Sequence, residues 1–293
     1  MKQRLALAFI VTATLSIAGS APAGEIVFGV TDDQTLVSWD STAPGALLSG
    51  SAIMGLQSNE RVVGIDFRPA TGQLYALGSF SRLYTLDTST GMASEVGSGP
   101  FAPPISGSNF GFDFNPVIDR IRLDSDTNAN YVLHPDTGGA TVVTDLFYGP
   151  GDPNENEDPN VVHASYTNSF AGTTSTQLYG VDTGLDILVT QANSAGTLGT
   201  VGSIGTDVTA TGGFDISGST GVGYMAIEDA ATSFSTFWTV DLTTGTGTGI
   251  GEIGSGIVIT AMAVSPVPEP ATSLLAVAAI GAVGAVRRTR RNA

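Results

Sequence analysis

Three aspartates recur at one place in a repeated phrase. Asp66 stands in Gly64-Ile-Asp-Phe-Arg-Pro69, Asp113 in Gly111-Phe-Asp-Phe-Asn-Pro116 and Asp215 in Gly213-Phe-Asp-Ile-Ser-Gly218. Carboxyl groups gathered from separate repeats have two kinds of chemistry open to them. They can hold a divalent cation through oxygen ligands. They can also serve as the acid and base of glycoside hydrolysis, which needs two carboxyls at roughly 5 Å or roughly 6.5 to 9.5 Å, one with a raised pKa. The plainer alternative is structural: positions repeated with a fold usually serve the fold, each Asp accepting hydrogen bonds from backbone amides of its own repeat. The structural alternative is preferred.

Two other stretches alternate oxygen-bearing side chains at every second position, as calcium loops do. They are Asp124, Asp126, Asn128 and Asn130, then Asp152, Asn154, Asn156 and Asp158. Neither has the glycine at the sixth place or the acid at the twelfth that the helix-loop-helix calcium motif requires, and a solvated Asn and Asp turn explains both. The second is the better calcium candidate, because it lies in a long loop from Tyr148 to Pro159, and long loops in compact domains are often functional. The two histidines, His134 and His163, lie in a His-Pro-Asp turn and at the start of a strand, with no spacing typical of a metal pair or a Ser-His-Asp set. Gly249, Gly251 and Gly254 formally match Gly-x-Gly-x-x-Gly, but no helix follows, so they read as a turn. The chain has no cysteine, which excludes disulfides, thiolate nucleophiles and Cys-type zinc sites.

The elements that must position these residues follow from the repetition itself. The aspartate phrase returns more loosely as His163-Ala-Ser-Tyr-Thr-Asn168 and Ala261-Met-Ala-Val-Ser-Pro266, so the five copies are 47, 52, 50 and 48 residues apart. A second phrase follows each of the first four, as in Gly72-Gln-Leu-Tyr-Ala-Leu and Thr176-Gln-Leu-Tyr-Gly-Val, and its fifth copy is Gly24-Glu-Ile-Val-Phe-Gly29. A third, such as Leu83-Tyr-Thr-Leu-Asp87 or Phe237-Trp-Thr-Val-Asp241, precedes a Thr and Gly turn. Each phrase alternates apolar with small or polar residues and is bounded by turn formers, which is the pattern of a short strand. Repeats of this length holding three or four strands predict propeller blades. The first unit lacks a first strand and the last phrase is a first strand with nothing after it. Together they predict an all-β, five-bladed β-propeller closed by pairing of its N- and C-terminal strands, which removes the exposed edge of an open array. Inner strands line the channel of such a ring, so the three aspartates would converge there. Trp39, Phe237 and Trp238, at third-strand positions, suit packing between blades.

The two ends of the chain are addresses rather than fold. Lys2 and Arg4, the apolar run Leu5 to Ala18 and the small residues Ala21-Pro22-Ala23 predict a signal peptide over 1–23, leaving a folded region at 24–266. The tail, 267–293, sets Pro268-Glu269-Pro270 before sixteen uncharged residues, Ala271 to Val286, and then Arg287, Arg288, Arg290 and Arg291. As a helix the apolar run spans about 24 Å, short of the ~30 Å hydrocarbon core. The arginines favour the cytoplasmic side, which leaves the folded region outside the inner membrane. This order of parts resembles the PEP-CTERM sorting signal of Gram-negative bacteria. That resemblance implies an exosortase-type membrane protease as processing partner, a transient anchor, and a final place at the cell surface or beyond it.

Without the terminal segments, 26 acidic residues face five arginines and no lysine, a net charge of −21. Such a surface repels nucleic acid, whose phosphates need Lys and Arg to displace counterions. Residues 24–266 also resemble a secreted bacterial family known as domain of unknown function 4394. The resemblance is carried by Gly111 to Pro116, Asp119-Arg120, Ser125-Asp126-Thr127, Pro135-Asp136-Thr137-Gly138, Gly151-Asp152-Pro153, Tyr166-Thr167-Asn168 and Leu178-Tyr179 with Asp182 to Asp186. It implies a secreted setting and transfers no functional residue. The function anticipated is a non-enzymatic exported propeller binding a surface protein or extracellular polysaccharide, with calcium as an optional support. The alternative is a glycan-active hydrolase or lyase-like enzyme using Asp66, Asp113 and Asp215.

Overall fold

The computed structural model describes residues 24–266. The segment expected to be a signal peptide and the tail, including Pro268, Glu269, Pro270 and the four terminal arginines, lie outside the described residues. Apart from one 3-10 turn at Asn193–Ala195, the regular structure of the described residues is twenty-one strands in five sheets, antiparallel except for one short pair. The first sheet holds β1 (Ile26–Thr31), β2 (Thr35–Asp40) and β3 (Leu47–Ala52). The second holds β4 (Val62–Phe67), β5 (Leu74–Gly78), β6 (Arg82–Leu86) and β7 (Ala93–Val96). The third holds β8 (Phe110–Asn115), β9 (Arg120–Ser125), β10 (Asn130–Leu133) and β11 (Ala140–Val142). In the fourth, β12 (Phe147–Tyr148) is followed by β13 (Val161–Tyr166), β14 (Leu178–Asp182), β15 (Ile187–Gln191) and β16 (Thr197–Ser203). The fifth is β17 (Gly212–Ile216), β18 (Gly223–Asp229), β19 (Phe234–Val240) and β20 (Gly247–Glu252), and β21 (Ile259–Val264) returns to the first sheet. The inner strands touch in a closed cycle, β4 to β8 to β13 to β17 to β21 and back to β4. This is a five-bladed β-propeller.

Closure occurs as the phrase order predicts. β21 pairs antiparallel with β1, with Val27 opposite Val264 and Gly29 opposite Met262, and becomes the inner strand of the first blade. Met262 and Val264 are buried there. Glu25 adds a second clasp at the same seam. Its carboxylate accepts hydrogen bonds from the hydroxyls of Ser217, Ser219 and Thr220 in the turn after β17.

No shared ladder joins one blade to the next; side chains hold the ring together, with scattered backbone bonds such as Gly247 N–H to the Ile204 carbonyl and Gly254 N–H to the Pro44 carbonyl. Apolar clusters fill the seams between the first and second, second and third, fourth and fifth, and fifth and first blades. Trp39 meets Phe237 edge to face across the fifth-to-first seam, centroids 5.5 Å apart, as the strand pattern anticipates. Such a pair adds ~0.5 to 1.5 kcal/mol beyond its buried area. Glycine allows the inner strands to approach. A Cβ on Gly111 would lie 2.8 Å from Ala164 Cβ, and one on Gly213 would lie 2.6 Å from Met262 Cγ.

The stretch read as a loop from Tyr148 differs at its start. Phe147 and Tyr148 form a short strand parallel to β16, making the fourth blade five-stranded. Leu146 and Tyr148 are buried, so the stretch covers an edge that would otherwise be open.

Candidate functional site

Asp66, Asp113 and Asp215 do converge. Each lies one residue before or near the end of its inner strand, each is buried, and each offers an oxygen within 4.8 Å of the other two. This separation admits a cation ligated by three carboxylates, and it is also close to the shorter spacing of a glycosidase pair. What the oxygens do locally is a different matter, because backbone amides engage every one of the three carboxyls.

The amides belong in large part to the next blade. Asp66 Oδ2 accepts the Phe114 N–H at 2.7 Å, and Asp113 Oδ1 accepts the Tyr166 N–H at 3.0 Å. Ser165, at the aspartate's place in the fourth blade, accepts the Ile216 N–H at 2.9 Å through its hydroxyl oxygen. Asp215 Oδ2 accepts the Val264 N–H at 2.6 Å. Four of the five inner strands thus pin the following strand through one repeated side chain. At the fifth step Ala263 has no acceptor, and the Phe67 N–H that it would serve is taken by Asp66 Oδ1 at 2.6 Å. The Ser165 hydroxyl also donates to Asp215 Oδ1 at 2.9 Å. The repetition pointed to backbone amides, but not to the neighbouring repeat as their source. Ser165 occupies the equivalent place in the repeat, and the structure adds that its hydroxyl serves as the fourth acceptor.

Burial first, and then the charge of Asp215, push the Asp66 carboxyl well above the usual carboxylate range. Burial and then the charges of Asp66 and Asp215 do the same to Asp113, and burial raises Asp215. Like charges this close in a dry interior do not all ionise. Asp66, Asp113 and Asp215 offer oxygens within 4.8 Å of one another, so they titrate together and hold protons that isolated carboxyls would release.

The other predicted ligands do not join this centre. Asp152 Oδ2 accepts the Thr200 N–H at 2.7 Å, and its Oδ1 accepts the Asn154 N–H and the Thr200 hydroxyl. Asn154 Nδ2 donates to Thr200 Oγ1, so both residues anchor the loop to β16. Asp158 instead accepts from Asn128 Nδ2 on the neighbouring blade, and Asn156 takes a left-handed turn at φ 78°. His134 Nδ1 accepts the Asp136 N–H within its turn. His163 Nε2 lies 3.1 Å from the Thr209 carbonyl oxygen, which accepts its proton, and burial lowers the ring's pKa to about 4.

Sequence reasoning also missed a buried polar network in the third-to-fourth seam, where no apolar cluster spans both blades. The Arg122 guanidinium donates to Asn130 Oδ1 and, across the seam, to the Tyr166 hydroxyl and Ser194 Oγ. Gln191 Nε2 donates to Asp124 Oδ1 at 3.1 Å. Asp124 Oδ2 and Gln191 Oε1 are left buried without partners, and burial pushes the Asp124 carboxyl up to about 7. The alternation from Asp124 to Asn130 that suggested calcium is a hairpin: Asp124 and Asn130 stand opposite each other on β9 and β10, with Asp126 and Asn128 in the turn between them.

Comparison with known proteins identifies the group. The family described as Domain of unknown function (DUF4394) matches residues 35–263, and the PEP-CTERM protein-sorting motif matches residues 266–291. The chain belongs to the DUF4394 family. Its sorting motif implies export and processing by an exosortase. No curated protein matches it. Among solved structures, a chain of a nidogen/laminin complex is similar at TM-score 0.49 and 9% identity, over 82% of this chain and 98% of that one. A Bacteroides thetaiotaomicron protein of unknown function is similar at TM-score 0.46 and 12% identity, over 79% and 58% of the two chains. TolB from Acinetobacter baumannii is similar at TM-score 0.43 and 14% identity, over 78% and 53%.

Proposed function

We propose that this DUF4394 member is a non-enzymatic propeller that works outside the inner membrane, binding a partner or matrix component after its tail has been sorted. The observation carrying this reading is the engagement of Asp66, Asp113 and Asp215 with backbone amides of adjacent blades. A general acid or nucleophile must meet its substrate within hydrogen-bond reach. These carboxyls are buried, and each already accepts at least one backbone N–H. In this reading they are fasteners, and binding falls to the rims of the ring.

The decisive experiment incubates the full-length protein with a panel of extracellular polysaccharides and follows both retention and new chain ends. Retention without new reducing or unsaturated ends is the expected result. Cleavage that disappears in Asp113→Asn would establish the glycan-active alternative. Calcium has a separate test. With Asp152, Asn154 and Asp158 engaged by Thr200 and Asn128, a chelator leaves the melting midpoint unchanged, whereas a fall of several degrees would make calcium part of the fold.

A further inference from the structure

A cavity of about 180 Å³ lies at the channel mouth formed by the N-terminal ends of the inner strands, opposite the aspartates. All five blades contribute: Gln34 and Thr260 from the first, Arg61 from the second, Asn109 from the third, His163 from the fourth and Thr211 from the fifth. Toward the aspartates the channel shrinks to about 20 Å³ at the level of Gly64, Gly111 and Gly213. One water occupies roughly 30 Å³ of liquid, so the mouth is a blind pocket holding about six waters, the size of one small ring.

Its chemistry is unlike the rest of the surface. No Asp or Glu lines it, in a region carrying a net charge of −21. Arg61 is exposed and donates one guanidinium N–H to the Asp32 carbonyl oxygen. Among the described residues no carboxylate lies within ion-pair distance of it, whereas Arg68 and Arg82 each have two. Beside it, the Gln34 side-chain amide is fixed by both backbone groups of Val62, accepting its N–H at 2.6 Å and donating to its carbonyl at 3.4 Å. Gln34 itself holds a left-handed φ of 65°. Asn109 commits its Nδ2 to Asp126, while its Oδ1 and the Thr211 hydroxyl make no hydrogen bond among the described residues. With Nε2 donating to Thr209, His163 keeps Nδ1 as an acceptor.

We infer that the mouth binds a single sugar-acid unit, a six-membered polyhydroxylated monocarboxylate, with Arg61 holding the carboxylate and Asn109 and Thr211 meeting the hydroxyls. A guanidinium without a carboxylate partner suits this group because its planar fork matches a carboxylate in two parallel bonds. The surrounding negative charge disfavours a polyanion, whose further carboxylates would meet acidic surface. This inference rests on the binding role proposed above and gives it a ligand class.

The test is calorimetric titration of the full-length protein with galacturonate, galactose and polygalacturonate at ~10 mM salt, where the Debye length is about 30 Å. Galacturonate is expected to bind at least tenfold more tightly than galactose and, per carboxylate, than the polymer. Arg61→Gln should lose that preference, Arg61→Lys should keep part of it, and Arg120→Gln should leave it intact. Unchanged melting of Arg61→Gln shows that the loss is local, and Thr211→Val supplies a second variant expected to weaken binding. Galacturonate binding that survives Arg61→Gln, tighter binding of the polymer, or no binding at all would overturn the site. Binding at Arg61 accompanied by turnover would overturn the non-enzymatic reading and leave the site standing.

Discussion

At the scale of residues, one side-chain position does a job usually left to hydrogen-bonded ladders. The acceptor at Asp66, Asp113, Ser165 or Asp215 reaches the amide one strand further round the ring. Asp113 is the cleanest probe, since one of its oxygens accepts the Tyr166 amide and an Asn carbonyl can replace it there. The glycines two residues earlier make the reach short enough. Gly111→Ala puts a Cβ 2.8 Å from Ala164 Cβ and 3.0 Å from its backbone nitrogen. Overpacking of this kind costs ~1 to 3 kcal/mol, so the variant should unfold several degrees below wild type in a calorimetric scan. An unchanged midpoint would mean that the inner strands are free to part. The convergence of the aspartates was legible in the sequence because Gly64, Gly111 and Gly213 share its period. The destination of their hydrogen bonds was not, since sequence period says which residues are equivalent and nothing about which blade supplies the partner.

The elements divide into four apolar seams and one polar seam. Strand phrases revealed the apolar ones, because consecutive apolar residues such as Leu83 and Tyr84 point to opposite faces of one strand and fill the seams on both sides of the blade. The polar seam was hidden, since Arg122, Asp124 and Asn130 look like surface residues until the fourth blade covers them. Its pH dependence follows from Asp124. A carboxyl raised from 3.8 to about 7 in the folded state keeps a proton that the unfolded chain releases. Its stabilising contribution is therefore complete below about pH 4 and is lost as the pH rises through about 7. Asp124→Asn supplies a permanent donor near Gln191 Oε1. It is expected to raise the midpoint at pH 8, to change little at pH 4, and to slow amide exchange in β9 and β15 at the higher pH. A variant less stable at pH 8 would indicate an ionised Asp124 paired with Arg122. The terminal seam has its own test. Ending the chain after Thr260 removes Ala261 to Val264, and with them most of the pairing to β1 and the amide held by Asp215. Burial of a Met or Val side chain is worth ~1.5 to 3 kcal/mol, so that chain should melt well below one ending at Pro266. Equal midpoints would contradict closure by β21.

At the scale of the whole molecule, the tail determines delivery and the ring determines what is delivered. Blade number and closure could be read from the five phrases because both ends of the chain carry incomplete units. The channel-mouth pocket could not be read, because Gln34, Arg61, Asn109 and Thr211 belong to no repeated pattern and meet only when the circle closes. The central claim is that the three buried carboxyls fasten the ring with protons in place. It is tested most directly by the melting midpoint of wild type and Asp113→Asn between pH 4 and pH 9 without divalent cations. Because Asp66 and Asp113 titrate well above their unfolded value, their stabilising contribution is complete below about pH 4 and lost as the pH rises. The wild-type midpoint should therefore fall with rising pH, the variant's profile should be flatter, and the variant should be the more stable protein at pH 9. A wild-type midpoint that rises with pH, with Asp113→Asn less stable throughout, would show three ionised carboxylates and contradict the account.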